Sequence, residues 1–400
     1  MRRIVGFGDD SGSSDASGLT TDAWGTQKVS LPHSVFHGMF TYDIPSLMWF
    51  TYHNGTQVTT STAVTSVGGA AKLLTTASLT TLRLESREAP RYQPNRGVLF
   101  STALWFPSPT AGGIRDFGLF TSENGVFFRL KSDGLLYAVL RRGGSEVLEQ
   151  LIDTSGLTGF DVSKNNIYDI QFQWRSAGNY KFYIGDPVTG LQRLVHTFNL
   201  LGTLTTTSIE NPALPIAFKA TRVTENVEMN VGCADLTSEN GSVDMWEYKS
   251  TYAEAVSVNG TNVPVLTIHN PPQIHSKTNT RSIQLARISV KCAKKATFKF
   301  WVHRNNSVLT GQTLQEIGAG SHTQTDSPDM IAGAVRATAF SATNAIFLTA
   351  VNAEANVFYQ INNPLREKIN FSLVRGDYVT VTVTVSASTA EASIEWGEAI

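Results

Sequence analysis

Apolar and polar residues alternate along most of the chain, in short runs that turn residues interrupt. The clearest series lies between 97 and 236: GVLFSTALWF (97–106), GIRDFGLFTS (113–122), GVFFRLKSDG (125–134), LLYAVLRR (135–142), NIYDIQFQW (166–174), YKFYIGDP (180–187), LQRLVHTFNL (191–200), PIAFKATRV (215–223) and VEMNVGCADL (227–236). Within NIYDIQFQW, Asn166, Tyr168, Ile170, Phe172 and Trp174 share one face, and Ile167, Asp169, Gln171 and Gln173 share the other. That period of two is the signature of a strand with one buried face. HNG (53–55), ENG (123–125) and SDG (132–134) read as tight turns, because Asn and Gly accept positive φ cheaply. Many strands at about 8–12 residue spacing, with no amphipathic helix between them, predict an antiparallel sandwich or barrel.

Shorter alternating runs fill 29–89, and a break at about 237–262 precedes a second β-series: PVLTIHN (264–270), SIQLARISVKCA (282–293), ATFKFWVHR (296–304), AIFLTAV (345–351), KINFSLVRGDYVTVTVTVSAS (368–388) and ASIEWGE (392–398). From Val379 to Ser386 valine alternates with threonine or serine. A flat strand of this kind aggregates when left as an edge, so it is expected to be central or covered. RGD at 375–377 reads as a turn. Residues 1–28, rich in Gly, Ser, Asp and Thr, cannot bury enough apolar area to fold alone and read as an extended arm. The expected organisation is all-β: arm 1–28, sandwich 29–245, linker 246–262 and C-terminal β-sandwich 263–400.

Length and charge narrow the function classes. The 400 residues suffice for two or three domains and for cores that need no disulfide or metal. Lys+Arg is 32 and Asp+Glu 33, a net charge of −1, which argues against nucleic acid as a partner. Charged residues are only 16%, against about 25% in ordinary soluble domains. Cys233 and Cys292 read as two buried thiols, and no zinc spacing occurs, so neither a metal nor another cofactor is expected. No apolar run reaches the about 18 residues of a membrane helix, and the short patch Ile4–Phe7 is no signal h-region.

The carboxylates are the first candidates for catalysis. A retaining glycosidase needs two carboxyl groups about 5–5.5 Å apart, which on one strand face means acids two residues apart. The nearest pairs, Glu146/Glu149, Glu225/Glu228 and Glu391/Glu395, lack that spacing and read as solvated strand ends or loops. GxSxG and the P-loop pattern are absent, GFGDDSG (6–12) lacks a flanking strand and helix, and Asp133–Gly134 reads as a turn. Most of the 39 aromatic residues (21 Phe, 11 Tyr, 7 Trp) belong to strand interiors, while Trp24, Trp246 and Tyr252 fall outside the strong strands, at junctions, partner contacts or sugar sites.

One resemblance extends this reading. SREAPRYQPNRGVLFSTALWF (86–106) carries Ser-Arg, then Tyr-x-Pro-x-x-Gly, then an apolar strand; DFGLFTSENGVFFRLKSDGLLYAVLRRGG (116–144), NNIYDIQFQW (165–174), GLQRLVHTFNL (190–200) and NPALPIAF (211–218) follow in order. Over about 31–245 the chain resembles the lectin-like (concanavalin-like) β-sandwich of minor virion proteins of tailed bacteriophages. It departs where that pattern often has Trp-Leu-Gly and this chain has Trp174-Arg175-Ser176-Ala177-Gly178.

The resemblance implies a non-enzymatic structural protein of a virion, in the capsid or tail, assembled in a host cytoplasm, with a lectin-like sandwich followed by a jelly-roll-like domain. Its partners would be other virion proteins and further copies of itself in a symmetric oligomer. The arm would anchor it, with Ile4, Val5 and Phe7 burying apolar area and Arg2 and Arg3 pairing with acids. The alternatives are a carbohydrate-binding module that recognises a host surface glycan and, third, a glycoside hydrolase.

Overall fold

The computed structural model describes residues 33–399, apart from 47, 59, 91, 94–95, 240–245, 275–276, 305–307, 318–320, 322, 344 and 363–372. The arm residues Arg2, Arg3, Ile4, Val5 and Phe7, and Trp24, lie outside the described residues, as does the side chain of Trp246. Among the described residues there is no α-helix, and none long and apolar enough to cross a membrane. The expected all-β class holds. The chain divides into two units, Met1–Val243 and Asp244–Ile400. Residues 246–262, expected as a linker, lie inside one continuous strand, Trp246–His269.

The first unit has sixteen strands: β1 His33–Met39, β2 Trp49–His53, β3 Thr56–Val58, β4 Val64–Val67, β5 Ala70–Leu74, β6 Thr81–Ser86, β7 Val98–Trp105, β8 Gly113–Phe120, β9 Gly125–Leu130, β10 Leu136–Arg142, β11 Ser145–Leu151, β12 Asn166–Gln173, β13 Asn179–Gly185, β14 Gln192–Asn199, β15 Ile216–Arg222 and β16 Glu228–Ser238. They form two eight-stranded antiparallel sheets. The first runs β14-β13-β12-β7-β16-β5-β4, with β1 also on β16; the second runs β11-β10-β9-β8-β15-β6-β2-β3.

Alternation decides which side chains meet between the sheets. Phe100, Tyr168, Ile170, Phe172 and Phe182 from the first sheet pack with Phe117, Phe128, Leu84 and Phe218 from the second, all fully buried. Phe117 stacks on Phe128 at 5.1 Å, and the Tyr168 ring meets Phe117 edge-on at 5.0 Å. Each such ring contributes about 1.5–3 kcal/mol of burial. The three turn motifs lie where the sequence puts them. Asn54 (φ 48°) and Gly55 (φ 84°) join β2 to β3, residues 121–124 join β8 to β9, and Gly134 (φ 78°) closes the β9–β10 turn. These turns set the registers on which the outer faces depend.

In the second unit the strands Trp246–His269 and Tyr378–Ala399 pair along their lengths, from Trp246 opposite Ala399 to His269 opposite Tyr378. Ile283–Cys292 and Ala296–His303 take the other edge of Tyr378–Ala399. The Val/Thr strand is therefore central. Val379, Val381 and Val383 enter the core. Thr380 and Thr382, on the opposite face, are buried too, in hydrogen bonds with His303 (2.9 Å) and the Trp301 indole (2.8 Å). RGD is a turn: Gly376 has φ +81°, and the buried Asp377 carboxylate accepts from the Val374 N–H at 3.2 Å.

Candidate functional site

The outer face of the second sheet concentrates the charged and aromatic side chains. Strand pairing sets Tyr52, Arg83, Lys219, Asp116, Arg129 and Tyr137 opposite one another in one row across β2, β6, β15, β8, β9 and β10. The next row is Phe50, Glu85, Ala217, Gly118, Phe127, Val139 and Glu149. Phe120, Phe127, Val139 and Ala217 make a small apolar cluster there, with Tyr137 packed against it. Cations lie over the rings: Arg83 over Tyr52 at 4.3 Å, Arg87 over Phe50 at 4.8 Å, Lys131 over Tyr137 at 4.1 Å and Arg141 over Phe127 at 4.9 Å.

Arg129 is the hub. Its Nε and Nη2 donate to Asp116 (2.7 and 3.0 Å), Nη1 and Nη2 to Glu146 (2.6 and 2.7 Å), and Nη1 to Glu149 (3.1 Å). Arg141 adds a bond to Glu146 at 3.1 Å, and Lys131 pairs with Glu149. Burial pulls the Arg129 guanidinium down, but the hydrogen-bonded carboxylates Asp116 and Glu146 outweigh it and hold it above its ordinary value. The hydrogen bonds from Arg129 hold Glu146 down at about 2. Glu146, clamped in this way, stays ionised and carries no proton to donate near neutral pH.

A different carboxyl does. β6 ends at Ser86, whose hydroxyl donates to the Glu88 carbonyl at 2.6 Å, and the Arg87 N–H donates to the Met48 carbonyl at 2.9 Å. These bonds fix the backbone at the margin of the face. Burial pushes the half-buried Glu88 carboxyl up to about 7, against the pull of Arg87. Two residues before Arg87, Glu85 is fully buried with Oε2 3.1 Å from Arg83 Nη2. One margin of the sheet thus holds an ion-paired carboxyl and a protonatable one.

The acidic pairs weighed in the sequence fall elsewhere. Glu146 and Glu149 belong to the Arg129 network instead of solvated strand ends. Glu228 pairs with Lys72 (3.0 Å), Glu391 with Lys291 (3.3 Å) and Glu395 with Arg287 (3.4 Å), while Glu225 Oε2 accepts from the Gly112 N–H at 3.4 Å. Asp133 is a turn residue that accepts from the Leu135 N–H (2.9 Å) and the Tyr137 hydroxyl (3.0 Å). Tyr252 is exposed on its strand. Cys292 is buried as expected, but Cys233 is exposed, because it sits on the outer face of β16; both are free thiols. Among the described residues no cluster of His, Cys, Asp and Glu could hold a metal ion.

Neither a family model nor a curated protein matches the chain. Solved structures do. A glycosyl hydrolase family protein from Mycobacterium fortuitum is similar over 51% of this chain and 99% of its own, with 14% identity and a TM-score of 0.39. A beta-1,3-glucanase from Mycobacterium marinum is similar over 51% and 98%, with 14% identity and a TM-score of 0.35. Arcelin-5, a lectin-like defence protein from Phaseolus vulgaris, is similar over 51% and 98%, with 8% identity and a TM-score of 0.33.

The first unit is a β-sandwich of two antiparallel sheets, and the structures similar to it include a lectin-like protein and glycoside hydrolase family proteins. The remainder of the resemblance is corrected. Two of these structures bear hydrolase or glucanase names, which contradicts the expectation of a non-enzymatic structural protein, and nothing in the three supports a phage, capsid or tail origin. At 8–14% identity the likeness is one of fold, and those activities belong to those proteins.

Proposed function

We propose that the chain is a glycan-processing enzyme, whose substrate lies along the outer face of the second sheet and whose general acid is Glu88. One observation carries this reading: a half-buried carboxyl with its proton held to about pH 7 at the margin of a face lined by rings and guanidinium groups. Glycosidic bond cleavage needs a proton delivered to the leaving oxygen, and a carboxyl pushed up by burial is suited to deliver it. The half-buried Tyr52 and Tyr137 offer ring faces for sugar stacking. Glu85, bonded to Arg83, orients the cation that lies over Tyr52 and is a positioning residue.

Release of reducing ends from a polysaccharide panel (β-1,3-glucan, β-1,4-glucan, pectate) tests the reading. The expected pH profile falls above about pH 7 as Glu88 loses its proton, and Glu88→Gln lowers kcat about 100-fold or more. Full activity in Glu88→Gln overturns the assignment. Binding of polysaccharide with no cleavage by the wild-type chain overturns the enzyme and leaves a sugar-binding face.

A further inference from the structure

On the outer face of the second sheet, Lys219 stands in the middle of the first row with its charge unmatched. It lies opposite Arg83 of β6 on one side and Asp116 of β8 on the other. Asp116 gives both carboxylate oxygens to Arg129, at 2.7 and 3.0 Å. Arg83 is engaged elsewhere, over the Tyr52 ring and with Nη2 3.1 Å from Glu85 Oε2. Among the described residues, Lys219 Nζ makes no hydrogen bond or ion pair.

Folding alone does not favour a cation at this position. Like charges directly opposite one another across a strand pair repel, and Lys219 faces Arg83 in that way. Burial pulls the Lys219 ammonium below its ordinary value. Asp116 draws it back up, while Arg141, Arg83 and Arg129 push it further down. The side chain is half-buried, so a ligand lying on the face can reach it. An anion bound there would relieve the repulsion and supply the missing partner at once.

We infer that the glycan of this face is anionic and carries a carboxylate or sulfate ester that pairs with Lys219. This rests on the reading of the face as a glycan site and names the substrate class. The surroundings suit a sugar better than a bare ion. On the other side of Lys219 from Ala217, the neighbouring row is Thr81, Thr221 and Ile114, all half-buried. It offers two hydroxyls to ring hydroxyls and an apolar side chain to a C–H face. Strands lie about 4.8 Å apart, so Lys219 is about 10 Å from Tyr52 and about 14 Å from Tyr137 along the row. Ring faces thus flank the charge on both sides. An ammonium is a compact charge with three donors and accepts carboxylate and sulfate alike.

The test is calorimetric titration of the full chain with trigalacturonate, a κ-carrageenan tetrasaccharide and maltotriose, which carry carboxylate, sulfate ester and no charge. Wild type is expected to bind one of the two anionic oligosaccharides about tenfold or more tightly than maltotriose. Lys219→Met, which keeps the apolar stem, is expected to lose that advantage. Lys164→Gln removes an exposed charge from the turn before β12 of the first sheet and is expected to keep it. Without ligand, Lys219→Met is expected to unfold at a higher temperature than wild type, because a like charge opposite Arg83 is gone. The inference is overturned if neither anionic oligosaccharide binds more tightly than maltotriose, or if folded Lys219→Met keeps the preference. A lower unfolding temperature for Lys219→Met also overturns it, since Lys219 would then serve the fold. Anionic binding without cleavage leaves the inference standing and removes the enzyme; cleavage with equal binding of charged and neutral sugars does the reverse.

Discussion

The sandwich has two outer faces, and they treat buried charge in opposite ways. On the second sheet, Asp116, Glu146 and Glu149 all reach Arg129, so their charge is matched within hydrogen-bond distance. On the first sheet, the row Tyr183, Asp169, Ser101, Asp235 and His37 crosses five strands and contains neither arginine nor lysine. There Asp169 is buried and burial raises its carboxyl to about 6, against a hydrogen bond with Ser101. Its neighbours on the face are amides. Gln171 donates to Glu239 at 2.9 Å, and among the described residues the fully buried Gln173 amide has no hydrogen-bond partner. Burial sets the state of the Asp169 carboxyl, whereas at Glu146 hydrogen bonds from a guanidinium outweigh it.

The largest expected effect comes from removing the hub. Arg129→Ala leaves three carboxylates without their common cation and should destabilise the first unit by about 3–5 kcal/mol in denaturant unfolding. A loss under about 1 kcal/mol would mean that the network is slack and that the contrast between the faces is false.

Next comes Asp169→Asn, with the opposite sign. A carboxyl whose folded value lies above its unfolded one favours folding only while protonated, so that contribution fades as pH rises from about 4 through about 6. The amide has no charge to bury, so the variant should gain up to about 3 kcal/mol at pH 8 relative to wild type and nothing at pH 3. Paired unfolding curves at the two pH values check this, and equal stability at pH 8 would show that Asp169 is ionised at no cost.

The smallest is Glu146→Gln. Its carboxyl is held down at about 2, so its contribution is present above its ordinary value near 4.5 and is lost as pH falls toward 2. The side chain is about one-third exposed (34%), and screening limits the expected loss to about 1 kcal/mol at pH 7, vanishing near pH 2. A loss that persists unchanged at pH 2 would assign the effect to packing.

Part of this was legible in the sequence. The alternation in NIYDIQFQW placed Tyr168, Ile170 and Phe172 in the core correctly, because side-chain period follows from strand geometry alone. The same alternation put Asp169, Gln171 and Gln173 on the other face, but they are buried as well, so a polar face is not always a wet one. The turn at 121–124 already fixes Asp116 opposite Arg129, and the sign alternation across that hairpin was the available signal for the network. Glu146 and Glu149 were harder, because the register between β10 and β11 shifts between Leu140 and Arg141. Glu88 left no trace in the pattern. Its state depends on burial by segments distant in sequence, which local periodicity does not encode.

The pairing of Trp246–His269 with Tyr378–Ala399 bears on how the protein is made. Its closest partners are separated by more than a hundred residues, so a ribosome must emit nearly the whole of this unit before either long strand meets its mate. During that interval the earlier strand, with Val265, Leu266 and Ile268 destined for the core, lacks its mate. Slow translation over 270–377 would prolong the exposure of the earlier strand, and a chaperone that shields extended apolar segments would have its natural client there.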